Sequence, residues 1–136
     1  GFNYILNPNT LYKIAKRIHT CFLEPGGIFI FDISSEYKLR EYIGNNTFIH
    51  DGNKVFYTWE NKFREKIKMS DMYLNFFVKN GGTYTRFGER HMQRAYSIDE
   101  IKRIFRAAGF KKITAFSPLT FDKPKKHDMR VVFVAE

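Results

Sequence analysis

A lone cysteine, Cys21, leaves no internal disulfide to form and no second thiol for a Cys-x-x-Cys metal or redox site. A reducing, cytoplasmic setting is therefore expected. Long apolar runs are also missing: the longest, such as Ile28 to Phe31, span only a few residues, which excludes a membrane-spanning helix of about 20 residues. No signal-peptide pattern is visible, and Asn45-Asn46-Thr47, a formal glycosylation pattern, has no meaning without secretion. Four histidines, His19, His50, His91 and His127, are scattered without ligand spacing, so no metal site is expected. Acidic residues are the minority, 14 against 23 Lys plus Arg, giving a net charge of +9. An initiator Met is lacking too. The opening Gly1-Phe2-Asn3-Tyr4-Ile5-Leu6 lies inside an apolar run and reads as the start of a cut piece, whose net charge is then weak evidence for nucleic acid.

What is present is aromatic and apolar. Fifteen Phe, eight Tyr and one Trp, within a hydrophobic fraction of 43%, supply one core but hardly two in 136 residues. Their spread along the chain argues against disorder. From Asn7 the pattern is helical: Asn7 can cap, Pro8 suits the first turn, and Leu11, Ile14, Ala15, Ile18 and Phe22 recur at spacings of three and four, predicting a helix that ends near Glu24. Pro25-Gly26-Gly27 breaks the chain. The run Ile28 to Ile33 has almost no alternation, as in a strand covered on both faces. A short helix from Glu36 to Ile43 follows, with Ser35 as cap and Gly44 as stop.

From Thr47 to Tyr96 the period is two, with Val55, Tyr57, Trp59, Asn61 and Phe63 sharing one side of a strand. A second strand is expected over Ser70 to Lys79, a turn at Asn80-Gly81, and a third strand from Gly82 toward Tyr96. That turn would set Lys79 opposite Gly82, Phe77 opposite Tyr84 and Leu74 opposite Phe87, with a bend or bulge near Gly88 to relieve so long a strand. Ser97-Ile98-Asp99-Glu100 reads as a capping box, and Tyr96 and Ile101 as its hydrophobic staple. The helix buries Ile101, Ile104, Phe105 and Ala108 and stops at Gly109; strands follow at Lys111 to Phe116 and Met129 to Ala135, joined by a basic loop through Lys123, Lys125 and Lys126. The sum is an α/β arrangement with an inserted antiparallel sheet.

The run Leu23-Glu24-Pro25-Gly26-Gly27-Ile28-Phe29-Ile30-Phe31-Asp32 resembles the helix, turn and fifth strand of class I S-adenosylmethionine-dependent methyltransferases. Phe2-Asn3-Tyr4-Ile5 lies where many of these enzymes continue from their fourth strand. Ala107-Ala108-Gly109-Phe110 looks like the helix end before their sixth, and Arg130 to Ala135 is similar to their seventh. Phe31-Asp32-Ile33-Ser34-Ser35, Tyr37-Lys38-Leu39, Gly44-Asn45-Asn46, Trp59-Glu60-Asn61, Arg86-Phe87 and Arg94-Ala95-Tyr96 further resemble a bacterial subgroup with an antiparallel insertion. The implied fold is the C-terminal half of a Rossmann-like doubly wound sheet, with residues 1–46 and 97–136 as its framework and 47–96 as an antiparallel β meander serving as substrate lid. The segment ending at Asp32 would be an interior member of a larger parallel layer. Such enzymes also carry a glycine-rich loop and an acidic residue that binds ribose hydroxyls. Neither stands here, so the piece alone is expected neither to bind S-adenosylmethionine tightly nor to catalyse transfer.

Methyl transfer is an in-line displacement that asks chiefly for positioning and exclusion of water. Ligands of open α/β sheets lie at the carboxyl ends of the strands, so the resemblance implies Asn3 and Tyr4 as cofactor-binding residues. Tyr37, Tyr57, Trp59, Arg94 and Tyr96 are the substrate-binding candidates, with cation-π contact as their chemistry; Glu89 and His91 are the catalytic candidates, as proton acceptors. The plain alternatives are core packing for the aromatics and a solvated ladder or ion pair for Glu89, His91 and Arg94. The expected partner is a small-molecule acceptor, with no membrane. The rival reading is an RNA-binding module or RNA methyltransferase part, which the charge and the aromatic strands favour and the interspersed acids oppose. Self-association is a third expectation, through an exposed edge of the Ile28 to Ile33 strand.

Overall fold

The computed structural model describes residues 1–136. A 3-10 turn at Phe2–Tyr4 leads to α1 (Pro8–Arg17), where Asn7 Oδ1 accepts from the Asn9 N–H at 2.8 Å and Pro8 occupies a position that needs no donor. The helix widens into a π turn over Ile18–Phe22, two residues short of Glu24. Seven strands follow: β1 (Phe29–Ser34), β2 (Thr47–Asp51), β3 (Val55–Arg64), β4 (Met69–Asn80), β5 (Thr83–Arg94), and, after α2 (Ile98–Ala108), β6 (Ile113–Phe116) and β7 (Arg130–Ala135). They form two sheets, a three-stranded one in the order β1-β7-β6 and a four-stranded one in the order β2-β3-β4-β5, antiparallel throughout.

The first sheet carries the main core. Ile33, Val131, Phe133, Ala135, Ile113 and Ala115 alternate along its strands and meet Leu11 and Ala15 of α1 and Ile101, Phe105 and Ala108 of α2. Phe31 lies opposite Phe133 in register, their rings stacked at 5.1 Å. The expectation that β1 is covered on both faces is not met within this chain. Phe29, Phe31 and Ile33 face the helices, whereas Ile30 on the other face is 58% exposed because no element of the chain packs there. Nor does β1 have two neighbours: it pairs with β7 alone, so the expected interior position in a parallel layer is not realised among these residues.

The second sheet is the insertion. Leu39 of the helical turn at Lys38–Tyr42 and Ile43, which follows it, pack with Phe63, Met72 and Ala95 in a smaller core of their own. Ser35 Oγ caps that turn by accepting from the Lys38 N–H at 3.0 Å. Gly44 ends it, because the Arg40 carbonyl occupies the space a Cβ would need. The β4/β5 hairpin differs from expectation by two residues. Gly81 and Gly82 form the loop and Asn80 pairs with Thr83, so Phe77 faces Arg86, Leu74 faces Glu89, and Phe76 meets Phe87 with rings 5.0 Å apart. Gly81, at φ +61°, takes the left-handed conformation one place earlier in the turn than the Asn80-Gly81 pattern assigns it. No bulge occurs at Gly88: the ladder runs unbroken from Met69 with Arg94 to Asn80 with Thr83.

Candidate active site

Alternation on the inserted sheet collects one face of side chains. Tyr57 is registered with Phe76, Trp59 with Leu74, and Met72 with His91, so all of them point the same way. With Tyr4 of the 3-10 turn, Lys38 and Ile43 from the segment after β1, and Gln93 of β5 they line a cleft of about 480 Å³. Glu89 and His91 are two apart on β5 and share this face; His91 Nε2 and Glu89 Oε2 are 3.0 Å apart. Tyr4 meets the His91 ring edge-on at 6.1 Å. The cleft is thus an aromatic-walled space with one imidazole and one lysine at its lining, the imidazole paired with the Glu89 carboxylate.

The structure brings Tyr4, Tyr57, Trp59 and His91 together there, with Glu89 held behind His91. It puts the other candidates elsewhere. Asn3 is buried and acts as a clamp: Nδ2 donates to the carbonyls of Ser34 and Arg94, each at 3.0 Å, and Oδ1 accepts from the Ser34 N–H at 2.8 Å. Tyr96 is a core residue, 1% exposed, whose hydroxyl donates to the Ile5 carbonyl. Burial pushes that phenol up to about 12, with Arg94 opposing the shift and Glu100 adding to it. Arg94 lies over the Tyr96 ring and donates to Glu100 at 3.0 Å, a structural pair at the start of α2. Tyr37 meets the His127 ring at a tilt, 4.8 Å between centroids, and lines a separate depression with Glu36, Arg40, Glu41 and Lys126.

Lys38 is the residue that sequence reasoning passed over. Burial lowers its ammonium below the ordinary lysine value, Arg130 lowers it further, and Asp32 opposes both. The signal was available in the strand-end rule, since Lys38 lies one helical turn beyond Ser34 at the carboxyl end of β1. On the opposite face of the inserted sheet, Arg64 and Arg90 converge on the buried carboxylate of Asp71 at 2.8 and 3.2 Å. Two of the cations that favoured an RNA reading are thereby engaged within the fold. No group of three or more His, Cys, Asp or Glu residues is placed to hold a metal ion.

No family model matches the chain. Among curated proteins it is 29% identical, over 137 aligned residues, to "Putative methyltransferase YqeM" of Bacillus subtilis (strain 168), covering 100% of this chain and 55% of the relative. The same identity and coverage hold for "Putative methyltransferase GWCH70_2453" of Geobacillus sp. (strain WCH70). Among solved structures, an S-adenosylmethionine-dependent methyltransferase from Clostridium acetobutylicum ATCC 824 superimposes with a TM-score of 0.85 at 35% identity, over 100% of this chain and 54% of that one. The fold is that of the C-terminal half of class I S-adenosylmethionine-dependent methyltransferases. CcbJ from Streptomyces caelestis shares it at a TM-score of 0.80 and 14% identity, over 99% of this chain and 56% of that one. CalS10 of Micromonospora echinaspora, an amino pentose methyltransferase solved with S-adenosylmethionine bound, shares it at 0.68 and 15%, over 98% and 52%. The chain spans about half the length of the proteins it matches.

These residues alone do not make a cradle for that cofactor. Both N–H groups of Asn3 are already donated to backbone carbonyls, Asp32 at the strand end is paired with Arg130, and the glycine pairs Gly26-Gly27 and Gly81-Gly82 lie at a helix stop and a hairpin. Tyr4, half exposed, is the one expected contact whose side chain remains free. The fit is therefore partial, and Asn3 enters it by positioning the turn that carries Tyr4.

Proposed function

We propose that the chain is the acceptor-binding portion of an S-adenosylmethionine-dependent methyltransferase acting on a small molecule, inactive until the cofactor-binding half of the fold is joined to it. The observation that carries this reading is the cleft between the 3-10 turn and the inserted sheet. Its volume, about 480 Å³, suits a small ligand, and it lies at the carboxyl end of β1, where open α/β sheets place their ligands. Small-molecule acceptors are favoured by the aromatic walls and by the description of CalS10 as an amino pentose methyltransferase.

When bound, the cofactor supplies a methyl group on an electrophilic sulfonium. This chain's task is to present a nucleophile in line with it and to exclude water. Tyr57, Trp59 and Phe76 form the wall against which the acceptor rests, and the meander over 47–96 serves as the lid. His91 receives the proton that the acceptor loses. With Nε2–H donated to Glu89, Nδ1 carries the free lone pair, and the carboxylate stabilises the imidazolium once it forms.

The test is His91→Ala in a version of the protein extended to the length of its relatives. Turnover with an accepted amine should fall about 100-fold, the usual worth of a positioned general base, with little change in cofactor affinity. Unchanged turnover would remove His91 from the site. A salt-sensitive complex with RNA, formed without any methyl transfer, would favour the rival reading over this one.

A further inference from the structure

Lys38 is the only lysine or arginine lining the cleft, and it has no counter-ion. It takes part in none of the ten ion pairs of the structure, and Asp32, the carboxylate whose field reaches it, is already held by Arg130. A half-buried ammonium without a contact partner carries a desolvation penalty that the field of Asp32 offsets only in part. A second residue that lines the cleft has a polar group without a partner. The indole Nε1–H of Trp59 is buried and meets no acceptor. The lysine lacks a counter-ion and the indole N–H lacks an acceptor, and Glu89, the one carboxylate on this face, is occupied by His91. What they lack in common is an acidic oxygen, and a buried donor left unpaired costs free energy that a ligand can restore.

We propose that the cleft binds an organic carboxylate, with Lys38 pairing to the anion, the Trp59 N–H donating to one of its oxygens, and Tyr57 and Phe76 covering the apolar remainder. That this carboxylate belongs to the methyl acceptor rests on the function proposed above; the binding itself does not.

Phenylacetate and its neutral match phenylacetamide are suitable probes, titrated into the 136-residue chain with the Trp59 indole N–H followed by NMR. Phenylacetate should bind at least about tenfold more tightly, shift the indole proton, and lose that preference in Lys38→Met while keeping it in Lys38→Arg. Should Lys38→Met not fold, Lys38→Gln serves in its place. Equal affinity for acid and amide in the unaltered chain, or a preference that survives loss of the Lys38 charge, overturns the proposal. Displacement of phenylacetate by S-adenosylhomocysteine would place the carboxylate on the cofactor and overturn its assignment to the acceptor. If the carboxylate preference holds while the extended protein transfers no methyl group, the anion site stands and the proposed function falls. The opposite pair of results removes only the anion site.

Discussion

Asn3 ties three separate segments with one side chain, joining the 3-10 turn to the carboxyl end of β1 and to the last residue of β5. Two of the three bonds are buried and the third partly so, and Asn3→Ala should lower unfolding stability by about 3 kcal/mol, a drop readable in the urea midpoint. Asn3→Asp should do no better, because a carboxylate cannot donate to the two carbonyls. Nothing in the sequence distinguishes such a clamp from a ligand contact, since both want an amide at a strand end, and only the burial of Asn3 separates the two. Tyr96 presents the same ambiguity. Its phenol, raised by burial from 10.0 to about 12, favours the protonated form in the folded state. The resulting stabilisation is complete below pH 10 and is lost as pH rises from 10 toward about 12. Tyr96→Phe should remove that loss, so the difference in urea midpoint between the two proteins should narrow between pH 9 and pH 11.5, apart from the constant cost of the missing bond to Ile5.

Elements were legible where their signals are local. The caps of Asn7 and Ser97 and the stop at Gly109, at φ +116°, are each written within four residues, and both long helices follow from them. Register is not local in this sense. Moving the β4/β5 loop from Asn80-Gly81 to Gly81-Gly82 shifts every pair by two and preserves every face, so the apolar pattern fits either choice and only the loop conformation separates them. Preserved faces are why Tyr57, Trp59 and His91 could be grouped from sequence although their exact partners could not. The reverse side of this sheet carries a polar cluster of its own. Asp71 pairs with Lys62 and Met92 across the ladders, and its buried carboxylate meets Arg64 and Arg90 from diagonal positions. Asp71→Asn should therefore destabilise the insertion by roughly 2 kcal/mol, less than a fully buried pair loses because both arginines can turn to water. Hydrogen exchange of β4 and β5 amides should accelerate while those of β6 and β7 do not. Uniform acceleration in both sheets would mean that the two unfold as one unit.

At the scale of the molecule the two sheets differ in what remains uncovered. The inserted sheet has a cleft on its inner face, whereas the first sheet ends at β1 and β6 and leaves an open face at β1. Ile28 and Ile30 there are 54% and 58% exposed, and the outer edge of β1 has no strand partner; Asn3 engages it only at Ser34. An edge with unpaired backbone groups and apolar side chains is a template for another strand. In the isolated chain the available partner is a second copy, whose β1 can pair antiparallel across a two-fold axis and cover the same isoleucines. Sedimentation velocity at about 100 μM should then show a dimer or larger species, at a concentration where contacts weaker than about 6 kcal/mol go undetected. Ile30→Lys should shift the population to monomer, because a charge at the centre of a joined sheet cannot be buried without a partner, whereas the same lysine on a free edge is well solvated. The far-UV spectrum should stay unchanged, since Ile30 does not contribute to the packed face of β1. A monomeric unaltered chain at that concentration would show that Asn3, by bonding both the N–H and the carbonyl of Ser34, already blocks the edge from extending.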